Sequence, residues 1–154
     1  VLGDPRLAAR YEGGAVAVVR LAPADYHRFH FPLDGRASAW WTLGRRLHSV
    51  HPIALAGGAP SLRNKRALTT LDAPGWGRVL VLEVGAMLVG TIVQTYRPGP
   101  VASGQEKGTF RFGGSTTILV LEPGRVRWDE DLLASSREGV ETLVTMGSRI
   151  GARP

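Results

Sequence analysis

Glycine and proline divide the apolar residues of this chain into short runs, and that division limits its fold more than any other feature. The 154 residues include 20 glycines and 10 prolines. Between these breaks stand Ala15 to Leu21 (AVAVVRL), Gly75 to Val84 (GWGRVLVLEV), Met87 to Thr95 (MLVGTIVQT) and Thr116 to Leu121. All are rich in β-branched and aliphatic residues, the composition of strands bounded by turns. Thr109 to Phe112 leads into the last run, and Arg125 to Trp128 adds a short pairing after the Pro123-Gly124 turn. Helix signals are few: Leu7 to Tyr11, a turn at Pro23 to His27, and Asp129 to Ser136 with its acidic front. The pattern predicts one mainly β domain, a sandwich or barrel with a few short helices, over residues 1–154.

The absence of cysteine removes disulfides, thiolate metal sites and cysteine nucleophiles. Lys and Arg number 19 against 13 acidic residues, a formal charge of +6, but the arginines are scattered. With no basic run interleaved with aromatics, nucleic acid is not an expected partner. A membrane surface or an anionic substrate suits the charge as well. The longest apolar stretch, Val79 to Val93, contains Glu83 and glycines at 85 and 90 and is too short to span a bilayer. The chain opens on Val1 without a charged-then-apolar leader and is expected to be a fragment or a processed product.

Two stretches carry chemistry. In RFGGSTTILVLEPG, from Arg111, two glycines lead into Ser115 at the start of a strand, leaving the carbonyl of Gly114 unshielded by side chains. In DYHRFHFPLDG, from Asp25, His27 and His30 stand three apart before Pro32, and His48 and His51 repeat that gap. A metal site built from these histidines and Glu83 lacks further carboxylate or thiolate support, so no metal is assigned; a lone histidine more often hydrogen-bonds to backbone. A serine with a histidine is the minimum equipment of an activated nucleophile. The hydrolase elbow, however, places glycines on both sides of its serine between strand and helix, whereas Ser115 has them on one side and precedes a strand.

DYHRFHFPLDG, LHSVHPIAL, LEVGAMLVGTI and GQEKGTFRFGGST, in that order, resemble the phosphatidylserine decarboxylase family of pyruvoyl enzymes, from about Tyr11 to Gly151. The resemblance implies a fold similar to barrel-sandwich hybrids and a proenzyme that cuts itself between Gly114 and Ser115, giving chains 1–114 and 115–154. It implies that Ser115 becomes the covalent pyruvoyl cofactor, whose carbonyl takes the substrate amine as a Schiff base and accepts the electrons left by departing CO₂. The substrate implied is phosphatidylserine and the product phosphatidylethanolamine. His30 matches the family histidine that acts as general base in a triad of Asp, His and Ser, and His27 the histidine linked to substrate handling.

The triad Asp lies upstream of these motifs in the family, and neither Asp4 nor Asp34 is assigned to it; a preceding segment is expected to carry it, or cleavage to be impaired. Asn64, His48 and Phe112 are candidate substrate-binding residues, with a plain turn role for Asn64 held open beside that one. Glu106 and Gly108 match the family's approach to the cleavage strand and are read as shaping a hairpin. Gly85 and Gly90 are read as bend or close-packing positions. Trp40 and Trp41 form a lipid-facing rim, or one is core and one exposed. The resemblance further implies peripheral attachment to a bacterial or organelle membrane and a homodimer. Two alternatives stay open: a pyruvoyl decarboxylase of a free aromatic amino acid, and a non-catalytic β-domain used for binding.

Overall fold

A computed structural model describes residues 2–49, 53, 57–58, 60–86, 91–111 and 115–154. Readings that fall on His51, on 87–90 and on Phe112, Gly113 and Gly114 lie outside the described residues. The chain is mainly β. Twelve strands are described: β1 Ala15–Leu21, β2 Arg28–His30, β3 Gly35–Ala37, β4 Trp41–Leu43, β5 Arg66–Ala73, β6 Gly77–Val84, β7 Thr91–Gln94, β8 Gly99–Val101, β9 Glu106–Arg111, β10 Ser115–Leu121, β11 Arg127–Trp128 and β12 Gly151–Ala152. The helices α1 Pro5–Ala9 and α2 Glu130–Arg137 and a 3₁₀ turn at Ser61–Arg63 accompany them.

A seven-stranded antiparallel sheet runs β1-β10-β6-β5-β3-β8, with β4 continuing the β3 edge of β5. Its centre is the hairpin of β5 and β6, in register from Arg66↔Val84 to Ala73↔Gly77. Pro74-Gly75-Trp76 closes that hairpin, and the positive φ of Gly75 (80°) and Gly77 (76°) supplies the backbone the turn needs. A three-stranded sheet, β2-β9-β7, and the β11–β12 pair complete the ladders.

Side-chain alternation gives the large sheet two different faces. On one, Leu68, Leu80, Leu82, Val84, Ile118 and Val120 pack with Tyr11 and with Leu2 and Leu7 beside and on α1. Asp4 caps α1, accepting from the amides of Arg6 at 2.8 Å and Leu7 at 3.4 Å, and Pro5 starts it. On the other face, Leu71, Val79, Val81 and Leu121 pack with Phe31, Tyr96 and Val101. Leu21 meets Phe29, Phe110 and Ile92 of the small sheet. This second face is the seam of a two-layer, sandwich-like fold.

Several expectations are moved by the structure. The helix expected over Leu7 to Tyr11 occupies Pro5–Ala9, where Asp4 and Pro5 place its start. The short turn expected at Pro23 to His27 is present, a turn at Pro23 and Ala24 followed by a bend at Asp25. Strands β2 to β5, β8 and β12 lie outside the expected runs; β5 hides its character behind Thr69, Thr70 and Asp72. Both Trp40 (44% exposed) and Trp41 (36%) reach solvent, and the Trp40 ring packs against Tyr96 at 5.9 Å, so neither is core.

Candidate active site

Ser115 is the first residue of β10 and pairs with Leu21, the last of β1. It is fully buried, and its Oγ has no hydrogen-bond partner among the described residues. Alternation puts it on the same face as Thr117, Leu119 and Leu121, so the hydroxyl is turned toward the seam. Gly114 belongs to the 112–114 connection, which joins the end of β9 in the small sheet to the start of β10 in the large one. The candidate scissile carbonyl is that of the peptide bond to Ser115 itself, so the candidate nucleophile and its target are neighbours in the chain at the head of β10.

The histidine-bearing segment crosses the same seam. Residues 22–27 leave Leu21, opposite Ser115, and enter β2, whose Arg28 pairs with Thr109. Asp25 shapes the crossing by accepting the amide of Ala22 at 2.6 Å. The His27 carbonyl accepts from the Phe110 amide at 2.9 Å and from Thr109 Oγ1 at 3.2 Å. Gly108 lets β9 pack closely against β7 and the Phe29 ring, because a Cβ there would lie 2.1 Å from the Val93 carbonyl oxygen and 2.6 Å from that ring.

The two rings differ in their commitments. His27 Nδ1 lies 2.6 Å from the Asp25 carbonyl, which can only accept, so Nδ1 carries the proton. His30 stacks on Tyr26, ring centroids 5.7 Å apart, with its Nε2 3.4 Å from the tyrosine hydroxyl; its Nδ1 is buried without a partner. After a register shift between Phe29 and His30, His30 pairs with Glu106, the first residue of β9, farther from the β10 end of the strand than the contacts of His27. No described hydrogen bond joins Ser115 Oγ to either ring.

Asn64 and His48 are brought together, but through backbone. Asn64 is fully buried, its Oδ1 accepts the His48 amide at 2.7 Å, and its Nδ2 donates to the carbonyls of His48 and Gly85 at 2.9 Å each. Gly85 follows Val84, which pairs with Thr116, so this amide clamps the segment at 48 against the strand end beside Ser115. Glu106 binds Arg28 at 2.7 Å and Thr95 at 3.2 Å, a rim interaction.

Comparison with known proteins supplies the frame for this geometry. The family model described as phosphatidylserine decarboxylase matches residues 1–152. The chain belongs to the phosphatidylserine decarboxylase family. Proteins named phosphatidylserine decarboxylase proenzyme resemble it throughout: that of Chlamydia trachomatis serovar D is 46% identical over 154 residues, covering 99% of this chain and 51% of the relative. The Chlamydia pneumoniae protein is 48% identical over 153 residues (98% and 51%), and that of Chlamydia muridarum 44% over 155 (99% and 52%). The chain thus spans about half the length of these relatives. No solved structure matches it.

Within this family member, one polar cluster escaped the sequence reading. Glu83 of β6 and Lys107 of β9 form a completely buried ion pair, Nζ to Oε2 2.9 Å. Gln94 of β7 joins it, accepting from Lys107 Nζ at 2.9 Å and donating to Glu83 Oε2 at 2.8 Å. Burial pushes the Glu83 carboxyl up and the Lys107 ammonium down, and their mutual attraction opposes both shifts. The Glu83 carboxylate, considered as a metal donor from the sequence, is engaged by Lys107 and Gln94. The sequence signal was a lone carboxylate inside VLVLEVG, which demands a buried cation, with Lys107 in the quoted GQEKG stretch. No helix among the described residues is long and apolar enough to cross a membrane.

Proposed function

We propose that this chain carries the self-cleaving and catalytic half of a pyruvoyl-dependent decarboxylase whose substrate is phosphatidylserine. The observation that carries the reading is the buried, unpartnered Oγ of Ser115 at the head of β10, directly after the glycine pair. A buried hydroxyl without a partner is unfavourable for folding alone, and its retention is accounted for if it reacts. Ser115 Oγ attacks the Gly114 carbonyl carbon, the peptide C–N bond breaks, and an ester joins the two residues. A base removes the Ser115 Cα proton, the Gly114 carboxylate leaves, and the resulting dehydroalanine tautomerises and takes up water with loss of ammonia. Two chains result, 1–114 and 115–154, the second opening on a pyruvoyl group.

His30 is assigned as the base that takes the hydroxyl proton. Its ring nitrogens are not held by backbone, whereas His27 Nδ1 is fixed to the Asp25 carbonyl. His27 is assigned to substrate handling beside the same crossing. Asn64 and the backbone of His48 act as positioning groups, and Phe112 belongs to the substrate side. The triad Asp is assigned to a segment outside this chain. When formed, the pyruvoyl group supplies a carbonyl for the substrate amine and an electron sink for the charge left by CO₂. A peripheral position on an anionic bilayer agrees with the +6 charge and with Trp40 and Trp41 at the surface, and assembly as a homodimer is part of the same reading.

The test is the intact mass of the purified protein, before and after borohydride reduction with phosphatidylserine or with a free aromatic amino acid. A fragment of residues 115–154 blocked by pyruvoyl, trapping the lipid rather than the amino acid, is the expected result. Ser115→Ala is expected to remain a single chain. A full-length wild-type protein, its preceding segment included, that stays uncut with Ser115 unchanged would refute the reading.

A further inference from the structure

The large sheet ends differently on its two sides. One end is β8, three residues with Pro100 in the middle, the short, proline-bearing strand with which natural sheets close an edge. The other is β1, seven residues in unbroken register with β10 and without proline, lysine or a bulge. Among the described residues β1 pairs with β10 alone, so the amides and carbonyls on its outer side have no described ladder partner. An unprotected edge of that length invites pairing with a further strand.

The composition of β1 is also that of a strand inside a sheet. Ala15, Ala17, Val19 and Leu21 lie on the seam face, and Val16 and Val18 lie on the other, in line with Val120 and Ile118 of the α1-side core. Apolar residues on both faces are the pattern of a strand covered by neighbours, yet Val16 is 53% and Val18 57% exposed. The bidentate Arg20–Glu141 pair holds the segment 140–146 beside the Ser115 end of β1. That segment, VETLVTM, is rich in β-branched residues, pairs with no described strand, and leaves Val140, Leu143 and Met146 exposed. Large apolar side chains thus stand open along and beside one edge of the sheet.

We propose that the open edge of β1 is the docking site for an extended strand supplied by the part of the proenzyme that lies outside this chain. This rests on the reading of the chain as one half of a longer polypeptide. The chain spans about half the length of its relatives, so about as much polypeptide again has to be seated against these residues, and β1 is the longest outer strand described. Main-chain hydrogen bonds would supply the attachment, and cross-strand packing on Val16 and Val18 the register. A second copy fits less well, because pairing β1 with itself antiparallel about Val18 sets Val16 against the arginine at position 20. A bilayer fits less well too, because unpaired backbone groups do not enter hydrocarbon. The docked strand would stand level with the candidate site, since Leu21 pairs with Ser115.

The experiment is amide hydrogen exchange on the full-length protein, read residue by residue along β1. On an edge strand the amides facing the neighbour exchange slowly and the alternate ones, facing solvent, rapidly; on an interior strand all are slow. The amides from Val16 to Arg20 are all expected to exchange on the order of 100-fold or more slowly than an unpaired peptide. A slow and fast alternation along β1 overturns the inference. The photoreactive variant Val16→p-benzoylphenylalanine identifies the occupant: a cross-link within one molecule to residues beyond these 154 is expected, and a cross-link between copies, or none to protein, overturns it. If that variant does not fold, dilution of the wild type decides. Protection that persists through an about 100-fold dilution supports a strand of the same molecule, and protection lost on dilution means a second copy and overturns the inference. An intact mass equal to these 154 residues alone, cut or uncut, sinks the half-length reading itself, whereas a longer protein with alternating exchange sinks the docking alone.

Discussion

The two faces of the large sheet are built from the same strands but from different chemistry. On the α1 side β6 stays apolar through Leu80, Leu82 and Val84, and the buried polar residues there, Thr116 of β10 and Arg66 of β5, flank Val84 from the neighbouring strands. On the seam side, Val79 and Val81 give way to Glu83, and Leu121 and Leu119 give way to Thr117 and Ser115. Both changes occur toward the same end, because β6 and β10 are antiparallel and Glu83 faces Thr117. Along β6 one face stays aliphatic to its end, and the other grades from core into a buried ion pair. Each buried polar group requires a partner that an aliphatic side chain does not.

The sharpest way to test that contrast is to remove one charge. Lys107→Met leaves the Glu83 carboxylate buried without its cation and is expected to lower stability by about 3–5 kcal/mol in denaturant unfolding at neutral pH. A loss below about 1 kcal/mol would mean that water reaches the pair. On the apolar face, Leu82→Ala is expected to cost about 2–5 kcal/mol through lost burial and the cavity left behind, with cleavage kinetics unchanged. A change in cleavage that tracks this loss would erase the distinction between the faces.

A smaller effect is expected at the clamp. Asn64→Ala removes three hydrogen bonds and leaves the His48 amide and the Gly85 carbonyl short of partners. The expected cost is about 1–3 kcal/mol, with hydrogen exchange at the His48 amide accelerated more than at β5.

The smallest effect lies outside both faces. Arg20 makes a bidentate pair with Glu141 at 2.6 Å on the edge strand, and the hydrogen bond from Arg20 holds the Glu141 carboxyl below its ordinary value of 4.5. A depressed carboxyl adds stability above its unfolded pKa and loses it as pH falls through the folded one. Glu141→Gln is therefore expected to differ from wild type by about 0.2–1 kcal/mol at pH 7, with the difference vanishing well below pH 4.5 in acid unfolding curves.

The contrast between the faces also explains which elements the sequence revealed. β1, β6 and β10 read clearly because each is a run of Val, Leu or Ile ended by glycine or proline. β5 lies between two neighbours on the large sheet, yet RALTTLDA shows neither alternation nor a continuous apolar run, since Thr69 and Ala67 fill buried positions. The three-residue strands β2, β3, β4 and β8 are too short for any periodicity, and β8 carries Pro100. Around the site, Ser115 and the paired histidines announce themselves by residue type and spacing. The Glu83–Lys107 contact does not, because its partners are 24 residues apart and meet only when two sheets are stacked.

One consequence follows from where β10 sits. Seven residues of β10 pair with β1 and five with β6, so the segment from Ser115 onward is woven into the interior of the sheet. A cut ahead of Ser115 would turn one molecule into a tightly held heterodimer that runs as a single species in native gel filtration and as two in denaturant. Once denatured, its halves would have to find each other by diffusion, and refolding would become second order in protein concentration. Maturation would then be irreversible in a mechanical sense as well as a chemical one: the chain assembles its sheet once, as a single strand of polymer, and afterwards survives by not coming apart.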